Sequence, residues 1–561
     1  MHLIESISNE MECVPVVHEV AAGIAAEYYN ETSNNGKAFA LVTAGPGLTN
    51  IVTAMAGAYL ESRELLVIGG QVKSSDLSRG DVRQRGIQEV DGVNISKPVC
   101  KKAILVDSPI SFSEFKELVF ESKLNRPGPV FLEYPLDVQA QNCDDENDIY
   151  EIEHDDVQTD LKKLSDVKEI NELFLKSKRP VILLGGGLKR DCTETVMQLL
   201  RERKIPVCTT WNAADRIDAR DYIYCGRPNT WGQRSANLII QQADLLLALG
   251  TRLGMQQTGF NWKQFVPNGK IVQVDIDVNE LNKGHPEVEY KICSDANEFA
   301  TNLLVRDLGD HQEWLNYCKS IRDLVPLVEN INYTRPVYLS PYQLIDELSD
   351  VCSETDVVIP CSSGGAFTTT MQAFRQKLGQ KIVTNKGLAA MGYGLSGAIG
   401  AALANVTSRV ILIEGDGGFS QNLQELGTAK INNLNIKIFI FDDSGYASIR
   451  MTQKNYFAGK YVGCDTNTGL GLPNWNKLFD VWDIPICTLT SSTKNDKAFL
   501  ELFNSAGLAA FIVKIDPEQT YFPKIASRVT DSGSMESNPL HQMSPEIDDV
   551  TLSKVSRYID D

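Results

Sequence analysis

Short apolar runs that end in glycine alternate along the chain with helix-forming stretches. The runs are AFALVTAGPG (38–47), LLVIGGQ (65–71), VILLGGG (181–187), LLLALGTR (245–252), RVILIEGDGG (409–418) and KIFIFDDSG (437–445). An apolar run without polar alternation is the pattern of a strand buried on both faces, and a terminal glycine opens it into a loop. Between the runs lie helical segments such as LTNIVTAMAGAYLES and NLQELGTAKIN. The alternation predicts α/β layers on parallel sheets, with ligands at the carboxyl ends of the strands. Two polar stretches interrupt it, QNCDDENDIYEIEHDD (141–156) and NINYTRPVYLSP (330–341). They divide the chain into segments 1–140, 157–330 and 331–530, with 141–156 as an acidic linker. A polar tail, 531–561, either wraps the surface or stays loose.

The 561 residues suffice for about three such cores. A net charge of -19 argues against nucleic-acid binding, because phosphates would be repelled. The 12 cysteines contain no CxxC pair, so reduced thiols are expected rather than a zinc site or a disulfide framework. No apolar run reaches the roughly 20 residues that span a bilayer, and the start MHLIESISNEMEC has no signal-peptide pattern. A cytoplasmic protein acting on small molecules, away from the membrane, is the expectation.

The candidate chemistry lies after the fifth run. Gly415-Asp416-Gly417-Gly418 follows the strand RVILIE. Glycines let the backbone approach a diphosphate, the following helix aims its N-terminus at the negative charge, and Asp416 offers an oxygen ligand for Mg²⁺. Alone, such a sequence is also a common turn signal. A second acidic residue changes the picture: Asp443 follows Asp416 by 27 residues, at the end of the next apolar run. A strand, a helix and a parallel strand fit that interval, so both carboxylates come to one sheet edge. Mg²⁺ takes few protein ligands, and two carboxylates with a backbone carbonyl suffice.

GDGG with a second metal ligand at this spacing resembles the thiamine-diphosphate-binding motif. GLAAMGYGLSGAIGAALA (387–404) is similar to the glycine-rich segment that precedes it in acetolactate synthase-like enzymes. HEVAAGIAAEYY (18–29), TAGPGLTN (43–50), GIQEVDGVNISKPVCKK (86–102) and GPVFLEYPLDVQ (128–139) resemble the same family in order. The resemblance implies three doubly wound parallel-sheet domains, a pyrimidine-binding and a diphosphate-binding domain flanking a central Rossmann-like one. It places the site between the first domain of one subunit and the third of another, hence a homodimer or homotetramer.

The resemblance also implies roles. Glu19 would hydrogen-bond the aminopyrimidine ring and assist removal of the thiazolium proton, and Gln88 would face the reacting carbon. The Ala389 carbonyl would accept from the amino group, and Met391 would wedge between the two rings. Asp416, Asp443 and the Gly445 carbonyl would hold Mg²⁺. Ser363, Gly364, Gly365, Gly415, Gly417, Gly418 and Tyr446 would complete the cofactor contacts. Taken alone, Glu19 reads as a solvated helix residue, Met391 as a core methionine and Gln88 as a loop residue. The central segments VILLGGG, GTRLGMQQTGFNW and VDIDVNEL are similar to those that hold FAD in acetolactate synthases, and they equally suit a fold without ligand.

Three departures bear on function. Met1 falls after the helix, strand and glycine loop with which the family begins, so an exposed strand edge and an opened site are expected. Asp443 stands where asparagine is usual. Thr452 stands where acetolactate synthases carry a tryptophan beside the acceptor, which implies a different acceptor. GYASIR and the tail NPLHQMSP resemble homologues associated with cell-surface polysaccharide synthesis, some of which transfer a two-carbon unit from pyruvate to a keto-sugar nucleotide. The expected activity is decarboxylation of a 2-oxo acid, such as pyruvate, with transfer of the acyl-anion equivalent to a carbonyl acceptor. Simple decarboxylation, and a non-catalytic regulatory or assembly role, are the alternatives.

Overall fold

The computed structural model describes residues 2–142, 161–529, 533 and 535–559. Beyond residue 142 the acidic stretch expected as a linker lies outside them. The first sheet holds β1 (Ala40–Val42), β2 (Leu65–Gln71), β3 (Lys102–Leu105) and β4 (Pro129–Pro135), in the order β1-β2-β4-β3. The second holds β5 (Pro180–Leu184), β6 (Val207–Thr209), β7 (Tyr224–Gly226), β8 (Leu245–Leu249), β9 (Lys270–Asp275) and β10 (Tyr290–Cys293), in the order β10-β9-β8-β5-β6-β7. The third holds β11 (Val357–Pro360), β12 (Lys381–Ile382), β13 (Val410–Gly415), β14 (Ile436–Asp442), β15 (Ile486–Leu489) and β16 (Ala509–Lys514), in the order β12-β11-β13-β14-β16-β15. The strands pair in parallel, and the fold is the expected α/β arrangement of three parallel-sheet domains.

The apolar runs are continuous because both faces of each sheet are covered. In the second sheet Ile182, Leu184, Leu247 and Leu249 enter one core while Val181, Leu183, Leu246 and Ala248 enter another. Successive side chains point to opposite faces, so two cores demand an unbroken apolar run.

By contact the chain forms two compact units. One contains the first sheet with most of the third, and the other is built on the second sheet. In the first unit a single core joins both sheets, from Ile24, Tyr28 and Met55 to Tyr393, Ile399 and Leu412. Its centre is the crossing of the Glu19–Thr32 helix with the Tyr393–Ala404 helix. A Cβ at Gly397 would come 2.7 Å from the Tyr28 ring, and one at Gly400 would overlap the Ala25 carbonyl. The glycine-rich segment therefore lets two helices approach backbone to backbone.

In the second unit the described part of the tail packs against the protein. Leu540, Met543 and Val555 are buried in its core, and Asn237 Nδ2 and Gln242 Nε2 donate to the carbonyls of Leu540 and Val555, both at 2.9 Å. Each described cysteine is free, and no described helix is long and apolar enough to cross a membrane.

Candidate functional site

The ends of β11, β13 and β14 lie side by side. β13 pairs with β11 and β14 in parallel, with Gly415 opposite Phe441. The chain leaves β11 to one side, for β12, and returns to its other side as β13. The crevice at such a reversal is where open α/β sheets bind ligands. Three segments emerge there: Ser363–Gly365, Gly415–Gly418 and Asp443–Tyr446.

Asp416 and Asp443 are both buried, at 1% and 5% exposure. Asp416 Oδ1 accepts from the Gly417 N–H at 2.6 Å and Oδ2 from the Gly445 N–H at 3.0 Å, so one carboxylate ties the two strand ends together. The Gly445 carbonyl takes one long bond, 3.2 Å, from the Ala447 N–H and keeps a second lone pair. Burial, then the charges of Asp443 and Asp442, push the Asp416 carboxyl well above the usual range. Burial pushes Asp443 up to about 7, against the pull of Arg450. Arg450, which the sequence reading passed over, donates from Nη2 to the Asp443 carbonyl at 2.9 Å and to its Oδ1 at 3.3 Å. The ring of Tyr446 lies where a Cβ on Gly417 would be, so that glycine has a packing role. A Cβ on Gly364 or Gly415 would meet nothing, leaving open space at the strand ends. Among the described residues no three His, Cys, Asp or Glu side chains gather to hold a metal. The donor set here is two carboxylates and a carbonyl.

The loop carrying Ala389 and Met391 is tied to this crevice. Ser362 Oγ donates to the Ala390 carbonyl, and Asn422 Nδ2 donates to that of Gly392 at 2.7 Å. Ala389 has a φ of 55°, a conformation uncommon for a residue with a side chain, and Met391 is 38% exposed. Behind the loop, buried Glu414 faces the Gly394 and Leu395 N–H groups, and burial holds its carboxyl up at about 8.

Glu19 opens the Glu19–Thr32 helix, half-buried, with Oε2 accepting from Asn50 Nδ2 at 3.0 Å. His18 is the cap: its Nδ1 accepts from the Val20 N–H at 3.2 Å. Glu425, fully buried, accepts the N–H groups of Val17 and His18. The first- and third-sheet regions of this chain thus meet at the start of the Glu19 helix. Gln88 is exposed, with a φ of 61°, and its carbonyl packs on Gly45 of the TAGPG turn. Neighbouring Glu89 organises that loop by accepting from the N–H groups of Ser78, Arg85 and Gly86. Thr452 is exposed and bonds only within its own helix, to the Ser448 carbonyl at 2.9 Å.

In the second sheet, Gly185 and Gly187 pack directly on Gly250, and the Gly187 N–H donates to the Gly250 carbonyl at 3.0 Å. These glycines have a loop-packing role that needs no nucleotide.

Family models match in chain order. The thiamine pyrophosphate enzyme N-terminal TPP binding domain matches residues 1–95, the central domain 167–303 and the C-terminal TPP binding domain 363–513. The chain belongs to the thiamine pyrophosphate enzyme family. Within it, the chain is acetolactate synthase-like. It is 30% identical over 461 residues to the probable acetolactate synthase large subunit of Methanocaldococcus jannaschii, covering 78% of this chain and 75% of that protein. It is 29% identical over 534 residues to the acetolactate synthase isozyme 1 large subunit of Escherichia coli (strain K12), covering 93% and 90%. The acetolactate synthase large subunit of Cyanidium caldarium is 29% identical over 534 residues, covering 91% and 87%.

Proposed function

We propose that this protein binds thiamine diphosphate through Mg²⁺ at the ends of β11, β13 and β14, decarboxylates a 2-oxo acid such as pyruvate, and transfers the acyl-anion equivalent to a carbonyl acceptor. The observation that carries the reading is the pair of buried carboxylates, Asp416 and Asp443, on adjacent parallel strand ends. Two such groups repel each other, and a dication between them relieves the repulsion. Asp416, Asp443 and the Gly445 carbonyl would hold the metal. The open backbone at Gly364 and Gly415, with Ser363, Gly365, Gly417 and Gly418, would cradle the diphosphate.

When bound, thiamine diphosphate supplies the electron sink that lets carbon dioxide leave. The chain's own residues would orient and protect. The Ala389 carbonyl would accept from the aminopyrimidine, Met391 would hold the two rings apart, and Tyr446 would brace Gly417. Glu19 would share a proton with the pyrimidine ring nitrogen. Gln88, on a loop braced by Glu89, would face the reacting carbon. Thr452 in place of a bulky aromatic residue favours an acceptor larger than a second pyruvate. The proposal includes a homodimeric or homotetrameric cytoplasmic enzyme, with FAD on the second-sheet domain as an open part of it. Sedimentation and a visible absorbance spectrum test those parts.

Calorimetric titration with thiamine diphosphate, with and without Mg²⁺, tests the site. Carbon dioxide release from pyruvate and other 2-oxo acids, with and without carbonyl acceptors, tests the reaction. A ligated product supports transfer, and a free aldehyde alone supports simple decarboxylation. Binding without carbon dioxide from any acid would leave only a non-catalytic role.

A further inference from the structure

A cavity of about 130 Å³ lies beside β7, the edge strand of the second sheet. Every residue that lines it belongs to the second compact unit, and none is a residue of the thiamine diphosphate site. Its walls combine Val325, Leu327 and Phe374 with Gln233, Ser235 and Arg322. The Arg234–Gln241 helix starts at this wall without a side-chain cap. The Gln233 side chain is engaged elsewhere, accepting from the Arg227 N–H at 2.9 Å and donating to the Gln372 carbonyl at 2.7 Å. The first N–H groups of a helix have no partner within it and carry the positive end of its dipole. Ser235, in that first turn, is 4% exposed, and its hydroxyl makes no hydrogen bond among the described residues.

Two guanidinium groups add charge. Arg322 gives Nη1 to the Tyr224 carbonyl and Nη2 to the Ala219 carbonyl at 3.1 Å. Arg227, 1% exposed behind the wall, donates to the Met371 and Phe374 carbonyls and to Gln376 Oε1, at 2.7, 2.5 and 2.7 Å. All these acceptors are neutral, and among the described residues neither arginine has a carboxylate partner. A buried cation without a counter-charge is costly, and an anion beside it removes the cost. Arg375 also lines the cavity, but Asp346 and Asp350 already neutralise it. Asp323, the one carboxylate in the lining, is exposed.

We infer that this cavity is a binding site for a small oxyanion, a phosphate group. The N–H groups at the helix start and the Ser235 hydroxyl would donate to its oxygens, and Arg322 and Arg227 would offset its charge. The apolar wall leaves room for a short carbon chain, so the phosphate arrives free or as a small ester. The inference rests on no part of the thiamine diphosphate reading.

The test is calorimetric titration of the full chain with inorganic phosphate at fixed ionic strength, paired with amide hydrogen exchange with and without phosphate. We expect a Kd of about 1 mM or tighter, with slowed exchange at residues 222–237 and 318–327. Arg322→Gln should weaken binding at least about tenfold and Ser235→Ala about threefold or more, whereas Asp323→Asn should not weaken it. Propyl phosphate separates the sources: tighter binding than inorganic phosphate assigns the site to a small ester, and equal or weaker binding assigns it to the free ion. No binding up to about 10 mM phosphate overturns the inference. So does slowed exchange confined to residues 415–418 and 443–446, which would place the ion at the other strand ends. Arg322→Gln and Ser235→Ala proteins that bind like wild type overturn it as well. If Arg322→Gln does not fold, Ser235→Ala, which removes one hydroxyl, decides.

Discussion

Glu27 is a buried carboxylate whose titration should be visible in the stability of the protein. It is fully buried in the core shared by the first and third sheets. Its Oε1 takes Arg63 Nη1 at 2.7 Å and Asn385 Nδ2 at 3.2 Å, while Arg63 Nη2 donates to the Thr384 carbonyl at 2.7 Å. Burial raises the carboxyl from 4.5 to about 7, with Arg63 pulling it down and Glu61 pushing it up. For Arg63, burial disfavours the charge, but Glu31, Glu27 and Glu61 outweigh it, so the guanidinium stays charged. The partners differ because the arginine has three carboxylates around it and Glu27 has one cation. A folded pKa above the unfolded one means that the native state binds the extra proton between the two values. Stability from this group is therefore full below 4.5 and is lost as pH rises through about 7. The loss amounts to about 3 kcal/mol. Glu27→Gln keeps the shape and removes the titration. Relative to wild type it should be near neutral at about pH 5 and more stable by about 3 kcal/mol at about pH 8. Urea midpoints by circular dichroism, taken across that range at fixed ionic strength, measure the difference. A difference independent of pH, or one that shrinks as pH rises, refutes the reasoning.

Other perturbations read other parts of the structure. Asp443→Asn should keep or improve thiamine diphosphate affinity, because an amide can donate to a diphosphate oxygen and Arg450 retains the carbonyls of residues 443 and 517; a large loss in a calorimetric titration would reject this. Arg450→Met leaves the buried Asp443 carboxylate without its cation, and should cost the apo protein about 3 kcal/mol, partly recovered with Mg²⁺; thermal melts with and without Mg²⁺ that drop equally would sink it. Burial disfavours the Glu89 carboxylate, but the Ser78, Arg85 and Gly86 N–H groups and the Ser78 hydroxyl win and hold it down at about 2, so its contribution is present above 4.5 and lost as pH falls toward about 2. Glu89→Gln should therefore loosen the loop, and trypsin should cut after Arg83 and Arg85 several-fold faster; an unchanged cleavage rate counts against the brace. Gly400→Ala drives a methyl into the Ala25 carbonyl and should cost about 1–3 kcal/mol, read as a lowered melting temperature; an unchanged melt would mean that the helices can separate freely.

What could be read along the chain, and what could not, follows from how far apart the interacting residues lie. Strands β2, β5, β8, β13 and β14 are legible because burial on both faces forces an unbroken apolar run. The short strands β6, β7 and β12 sit in none of these glycine-ended runs. The glycines of residues 387–404 stand out by composition, but the reason for Gly400 is a carbonyl in a helix that begins near residue 19. The site divides in the same way. Asp416 and Asp443 announce themselves because each follows its own strand, and parallel pairing brings successive strand ends together whatever else the chain does. Arg450 was within reach of sequence reasoning: it lies seven residues after Asp443, in the first turn of the Ala447–Tyr456 helix, where a cation can fold back on the carboxylate. Glu425 was not, because its partners Val17 and His18 are 408 and 407 residues away. A strand end and its turn are specified by adjacent residues, whereas neutralising and aiming the groups placed there draws on side chains from distant segments. Substitutions at such distant partners should therefore alter the geometry of the site while leaving every recognisable motif intact.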